Sequence, residues 1–147
     1  MFKNICIPTD GSKLSQKAIK TGLAFAKEMN ASVTACFVIE PFDTYYYGEY
    51  SPADMHTVKE FEQRAREAGN AYLQRIEKAA RAAGLAYTGS VVKADAPYRG
   101  IISAAKKGGC DLIFMASHGR RGLSSVLLGS ETHKVLTHSK IPVLVYR

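Results

Sequence analysis

Five short apolar runs, each separated from the next by a stretch of helical period, set the strongest limit on how this chain can fold. The runs are KNICIPTD, ASVTACFVIE, LAYTGSVVKA, DLIFMA and IPVLVYR. A run that is apolar on consecutive residues is buried on both faces, and such strands belong to parallel sheets covered by helices on either side. Between the runs lie GSKLSQKAIKTGLAFAKEMN, the segment from Met55 to Ala83, DAPYRGIISAAKKGG, and Gly129 to His138. The order β-α-β-α-β-α-β-α-β predicts an α/β fold: an open five-stranded parallel sheet with helices on both faces and right-handed crossovers. A length of 147 residues suits one domain spanning 1–147.

The punctuation agrees with that reading. Ser12 is placed to cap the first helix and Asn30 to end it. Pro97 belongs in the first turn of the third helix, and Gly108 with Gly109 at its end. In the second helix, Val58, Phe61, Ala65, Ala68, Tyr72, Ile76, Ala79 and Ala83 are expected on the buried face. Gly69 costs that helix a little stability without breaking it, and Gly84 stops it. Residues 43–53 break the pattern with four tyrosines, Tyr45, Tyr46, Tyr47 and Tyr50. A loop of that length is often functional; the sequence leaves open whether it covers a ligand, faces a partner or simply packs.

Composition excludes several classes. No apolar run approaches the ~20 residues a membrane span needs, and the N-terminus has no long apolar stretch before a small-residue cleavage site, so a cytoplasmic protein is expected. Cys6, Cys36 and Cys110 match no zinc or redox spacing and read as structural free thiols; Cys110, just before a strand, is the one to test for reactivity. The net charge of +7 suits acidic partners. The basic residues are nevertheless scattered and no aromatic RNA-binding motif accompanies them, which disfavours nucleic acid.

In open parallel sheets, ligands bind beyond the carboxyl ends of strands where the strand order reverses. That directs attention to PTDGS, VIEPF and MASHGRRG. After the fourth strand, Gly119 and Gly122 allow close backbone approach and positive φ. Gly129-Ser130 opens a helix whose free N–H groups and dipole favour an anion, and Arg120 and Arg121 add charge. This is equipment for phosphate. It is neither a P-loop, since no Gly-Lys-Ser/Thr occurs, nor a dinucleotide fingerprint, since no GxGxxG follows the first strand. His118 reads as a packed or hydrogen-bonded loop residue, His133 and His138 are five residues apart, and His56 is remote, so no metal is assigned to histidine.

The chain resembles the universal stress proteins. Their nucleotide motif is glycine, two residues, glycine, nine residues, then glycine with Ser or Thr. Here Ala116-Ser117-His118-Gly119 is followed by Arg120 to Leu128 and then Gly129-Ser130. PTDGS, FVIE, DLIFMASHGRRG and IPVLVYR also stand where that family has them, over essentially the whole chain. The first motif glycine is Ala116, whose methyl is harmless only if its φ is negative. The resemblance implies a Rossmann-like, adenine nucleotide α-hydrolase-like fold and binding of ATP, AMP or ADP. It implies that Pro8, Thr9 and Asp10 line the pocket, with Asp10 suited to a Mg²⁺ on phosphate oxygens. It gives Val38 the adenine edge, and Ala116 and Ser117 the ribose. His118 lies close to the phosphates, and Gly119, Arg120, Gly129, Ser130 and Glu131 surround them, with the Glu131 side chain pointing away.

Three activities fit these residues: a nucleotide-dependent regulatory protein of the stress response that changes shape or protein partner, a slow ATPase or phosphotransferase, and a nucleotide-free interaction module. No catalytic base is firmly placed, so at most weak ATP hydrolysis is expected. The terminal strand, residues 142–146, is expected at a sheet edge, where an antiparallel second copy would cover it and make a homodimer.

Overall fold

The computed structural model describes residues 1–42, 55–120 and 127–147. The elements run β1 (Asn4–Pro8), α1 (Lys13–Met29), β2 (Ser32–Ile39), α2 (Met55–Ala82), β3 (Tyr87–Lys93), α3 (Pro97–Lys107), β4 (Leu112–Ala116), α4 (Ser130–His138) and β5 (Val143–Tyr146). All four strand pairings are parallel, and the order across the sheet is β3-β2-β1-β4-β5. The order reverses between β1 and β4. Helices α1 and α2 pack on one face, where Phe114, Ile5, Ile7 and Phe37 meet Ala18, Leu23, Leu73 and Ile76. Helices α3 and α4 cover the other, where Cys6, Ile113 and Met115 meet Ile101, Ala105 and Val135.

Local chemistry sets the boundaries. The Ser12 side chain accepts the Ser15 N–H at 3.2 Å, and Asn30 ends α1 in the left-handed region at φ 53°. Pro97 occupies the first turn of α3, and Gly84 turns the chain after α2 at φ 77°. The buried line of α2 differs from the expected one. Ala68 and Ala79 face solvent, while Gly69, Leu73 and Ala80 are buried. Alanine has too little apolar area to fix a helix's rotation, so the larger Leu73 and Ile76 set it. Gly69 is a packing seat rather than a tolerated cost: a Cβ there would meet Phe37 Cδ1 at 2.7 Å. The three cysteines are buried in one cluster beneath α3. A thiol hydrogen bond to Cys6 pulls Cys110 down to about 7, and hydrogen bonds with Cys110 and Cys36 together with burial push Cys6 up.

Proline and strand polarity open the sheet at the reversal. In a parallel strand a residue's N–H and C=O point to the same side, and successive residues alternate. The next rung of the β1–β4 ladder after Cys6 and Ile113 would need an N–H at position 8, which Pro8 lacks. The two strands part there.

Candidate functional site

The parting of β1 and β4 opens into a cavity of about 400 Å³. Its walls bring together segments that are distant in sequence: Pro8 to Asp10 after β1, Cys36 to Val38 and Glu40 at the end of β2, Pro97 and Ile101 of α3, Met115 and Ala116 of β4, and the loop and helix around Gly119 and Ser130. Among the twelve residues expected to form the site, eleven line this cavity; Ser117 is buried at 3% exposure just beneath it.

The turn after β1 is knitted by its own side chains. Thr9 Oγ1 lies 2.8 Å from Ser15 Oγ and accepts the Gly11 N–H at 3.2 Å. Asp10 Oδ1 accepts the Ser12 N–H at 2.9 Å. Gly11 adopts φ 78°, and the Tyr72 ring packs where a side chain would stand.

Val38 is offered by strand polarity. The Val33 N–H bonds Ala86 C=O and the Ala94 N–H bonds Ile39 C=O, so odd residues of β2 address β3. The Thr9 N–H bonds Cys36 C=O, so even residues address β1. Val38 lies two residues beyond Cys36, past the end of β1, and its N–H and C=O are directed at the cavity. Phe37 projects to the opposite face. Its ring stacks on Tyr72 at 5.9 Å between centroids and lies under the Arg120 guanidinium at 5.9 Å.

The segment after β4 returns on itself, since the Gly129 N–H donates to Ser117 C=O at 2.8 Å. A Cβ on Gly129 would stand 3.0 Å from His118 Cα, so any larger residue would push this close return apart by a few tenths of an ångström. Gly129 is then the N-cap of α4 at φ −59°, and among the described residues no side chain caps the helix. Among those residues the first-turn N–H groups of α4 reach the cavity without a side-chain acceptor, with the positive end of the helix dipole behind them. Ala116 has a strand conformation without positive φ, so its methyl strains no backbone; its carbonyl accepts the Thr132 hydroxyl at 3.1 Å. His118 Nδ1 pairs with Ser117 Oγ at 3.1 Å.

One expectation is corrected. Gly119 does not use positive φ; a Cβ there would collide with Asp10 Oδ2, so the carboxylate would have to shift. Glu131 borders the cavity with its carboxylate turned away, as expected. Oε2 accepts the Tyr98 N–H at 2.8 Å and Oε1 pairs with Lys134 at 3.1 Å. Ala96, the N-cap of α3, offers no side-chain acceptor, and Glu131 supplies one from the neighbouring helix. Arg121, Gly122 and the tyrosine loop, 43–53, lie outside the described residues. The apolar walls Pro97, Ile101 and Met115 were not read from the sequence as lining residues; only their places near strand and helix ends could have marked them.

Fit for a metal is narrow. Among the described residues, no cluster of three His, Cys, Asp or Glu side chains is placed to hold a metal ion. A Mg²⁺ would have to arrive on phosphate oxygens, with Asp10 as a carboxylate at hand. No described helix is long and apolar enough to cross a membrane.

An open, doubly wound α/β domain with an anion-receptive crevice at its strand-order reversal is the class that fold and site define. The chain belongs to the universal stress protein family, whose model matches residues 1–147. It is 31% identical to universal stress protein MJ0531 of Methanocaldococcus jannaschii over 149 residues, covering 100% of this chain and 83% of that protein. It is 30% identical over 156 residues to universal stress protein MJ0577 of the same organism, covering 100% of this chain and 96% of the relative. The solved structure of MJ0577 superimposes with a TM-score of 0.84 over 99% of this chain and 95% of that one, at 29% identity. A universal stress protein solved in complex with cAMP shares the fold at TM-score 0.70 and 24% identity, covering 99% of this chain and 97% of that one.

Proposed function

We propose that this protein binds an adenine nucleotide, ATP or its mono- or diphosphate, and acts as a nucleotide-dependent regulator in the stress response. The observation that carries this reading is the uncapped N-terminus of α4 at the mouth of the crevice. Free N–H groups with a helix dipole behind them suit a phosphate. The cavity's other end is apolar and is edged by the Val38 N–H and C=O, a donor–acceptor pair that suits the adenine edge. Family relatives solved with cAMP and with dAMP support an adenylate as the ligand class.

Regulation is favoured over catalysis by the same geometry. His118 is turned to Ser117 and the Asp10 carboxylate is engaged by main-chain N–H groups, so neither is poised as a base for an attacking water. A homodimer through β5 fits its position at the sheet edge with every residue half-buried, and a cytoplasmic setting fits the three unpaired thiols.

The test is calorimetric titration with ATP, AMP and adenosine, together with mass spectrometry of the small molecule released on denaturing freshly purified protein. An adenylate that binds with at least micromolar affinity supports the reading. Absence of any adenylate in both assays refutes it. Sedimentation at micromolar concentration tests the dimer, and a monomer refutes it.

A further inference from the structure

The acid at the centre of the pocket already holds a main-chain donor that a phosphate would want. Asp10 Oδ2 accepts the Arg120 N–H at 2.9 Å while Oδ1 accepts the Ser12 N–H at 2.9 Å. The Arg120 side chain then folds back: its Nε donates to the Asp10 carbonyl at 2.5 Å and its guanidinium covers the Phe37 ring. Asp10 and Arg120, 110 apart in the chain, are thus joined by two hydrogen bonds across the crevice between β1 and β4. Gly119 lies directly beside this contact, and a Cβ there would push Asp10 Oδ2 aside.

We infer that Asp10 and Arg120 form a latch across the phosphate end of the crevice, in which the Asp10 carboxylate is an internal anion that an incoming polyphosphate must displace. The inference rests on the nucleotide reading and concerns the regulation of the same site. A carboxylate and a phosphate oxygen are both acceptors for the Arg120 N–H, and one N–H serves one strong acceptor at a time. Among the described residues the first-turn N–H groups of α4 have no such occupant, so a single phosphate can be seated there with the latch shut. Further phosphates meet Asp10, both as a competitor and as a like charge. The latch therefore discriminates by phosphate number: it leaves the nucleoside untouched and weakens binding as the tail lengthens.

Asp10→Asn tests this with little change of shape. Asparagine has one acceptor oxygen, which can serve Ser12 or Arg120 but not both. Thermal unfolding checks that the variant folds. In nucleotide-free protein one of the two amides, Ser12 or Arg120, should exchange its hydrogen at least about tenfold faster in Asp10→Asn, the loss of one charge-assisted hydrogen bond. With EDTA present, ATP should bind the variant about tenfold more tightly than wild type, while adenosine binds both alike. Wild-type protein gives a check without any variant: saturation with ATP should move the Arg120 amide signal in a ¹H–¹⁵N spectrum. Unchanged exchange, equal or weaker ATP binding by the variant, an equal gain for adenosine, or an unmoved Arg120 signal each overturns the latch. If wild type binds ATP and the variant gains nothing, the latch alone falls. If neither form binds ATP or adenosine, the nucleotide reading falls and takes the latch with it.

Discussion

Gly100 shows how tightly the site depends on the packing beneath it. This residue is buried in α3, where the helix crosses β2, and a Cβ there would stand 2.6 and 2.7 Å from the two γ carbons of Val38 and 3.2 Å from Ala94 Cβ. Ordinary carbon contacts are about 3.5–4.0 Å, so Gly100→Ala needs a movement of roughly 1 Å. Valine in a strand is stiff about χ1, and both of its methyls are in the way, so the helix or the strand must move. Overpacking of this kind costs about 1–3 kcal/mol. The substitution gains about 1 kcal/mol of helix propensity. The net expectation is a loss of about 1 kcal/mol, read as a lower urea midpoint at unchanged m-value. Because the displaced residue is Val38, adenosine affinity should also fall. A variant as stable as wild type, or one that keeps full adenosine affinity, would refute the claim that Gly100 seats the base edge.

Three further outcomes are expected. Glu131→Ala should destabilise the fold by about 1–2 kcal/mol in urea unfolding, because the Tyr98 N–H loses a charged acceptor, and Glu131→Gln should recover part of that; a neutral Glu131→Ala would remove the cross-helix cap from the account. Gly119→Val should abolish ATP binding in calorimetry while circular dichroism stays unchanged, since the added bulk blocks the approach of phosphate to the main-chain N–H groups of the loop. Asp111 is raised by burial but lowered more by the N–H bonds of Lys3 and Asn4, for a net downward shift. Its contribution is therefore present above the unfolded carboxylate value of about 4 and lost as pH falls through the lower folded value; the stability gap between wild type and Asp111→Asn should shrink in acid, and a gap that widens there would contradict the assignment.

Much of the fold could be read from local signals because its elements announce themselves locally. DLIFMA is apolar at five consecutive positions, Pro97 and Gly84 sit where their backbone preferences demand, and Ser12 caps the helix it precedes. The start of α4 was legible for the same reason, as Gly129-Ser130 is a short-range signature. What the sequence hid depends on contacts between distant segments. Glu131 looked like a phosphate neighbour, and its acceptor role appears only with Tyr98, 33 residues earlier. Gly69 read as a tolerated cost and Gly100 gave no signal, and they become seats for Phe37 and Val38 only when the helices cross β2. Ile101 and Met115 are apolar, and an apolar residue reads as core whether it faces another side chain or an empty crevice. The face of α2 was set a fraction of a turn off because its alanines carry little directional weight.

The account stands on the first turn of α4 as the phosphate seat, and amide spectroscopy addresses it residue by residue. Adenosine and AMP are titrated in turn into ¹⁵N-labelled protein in EDTA. The account predicts that adenosine moves the Val38 amide, and that AMP moves Val38 together with the amides of Ser130, Glu131 and Thr132, the last three shifting only when the phosphate is present. AMP that binds while those three amides stay unmoved would contradict it.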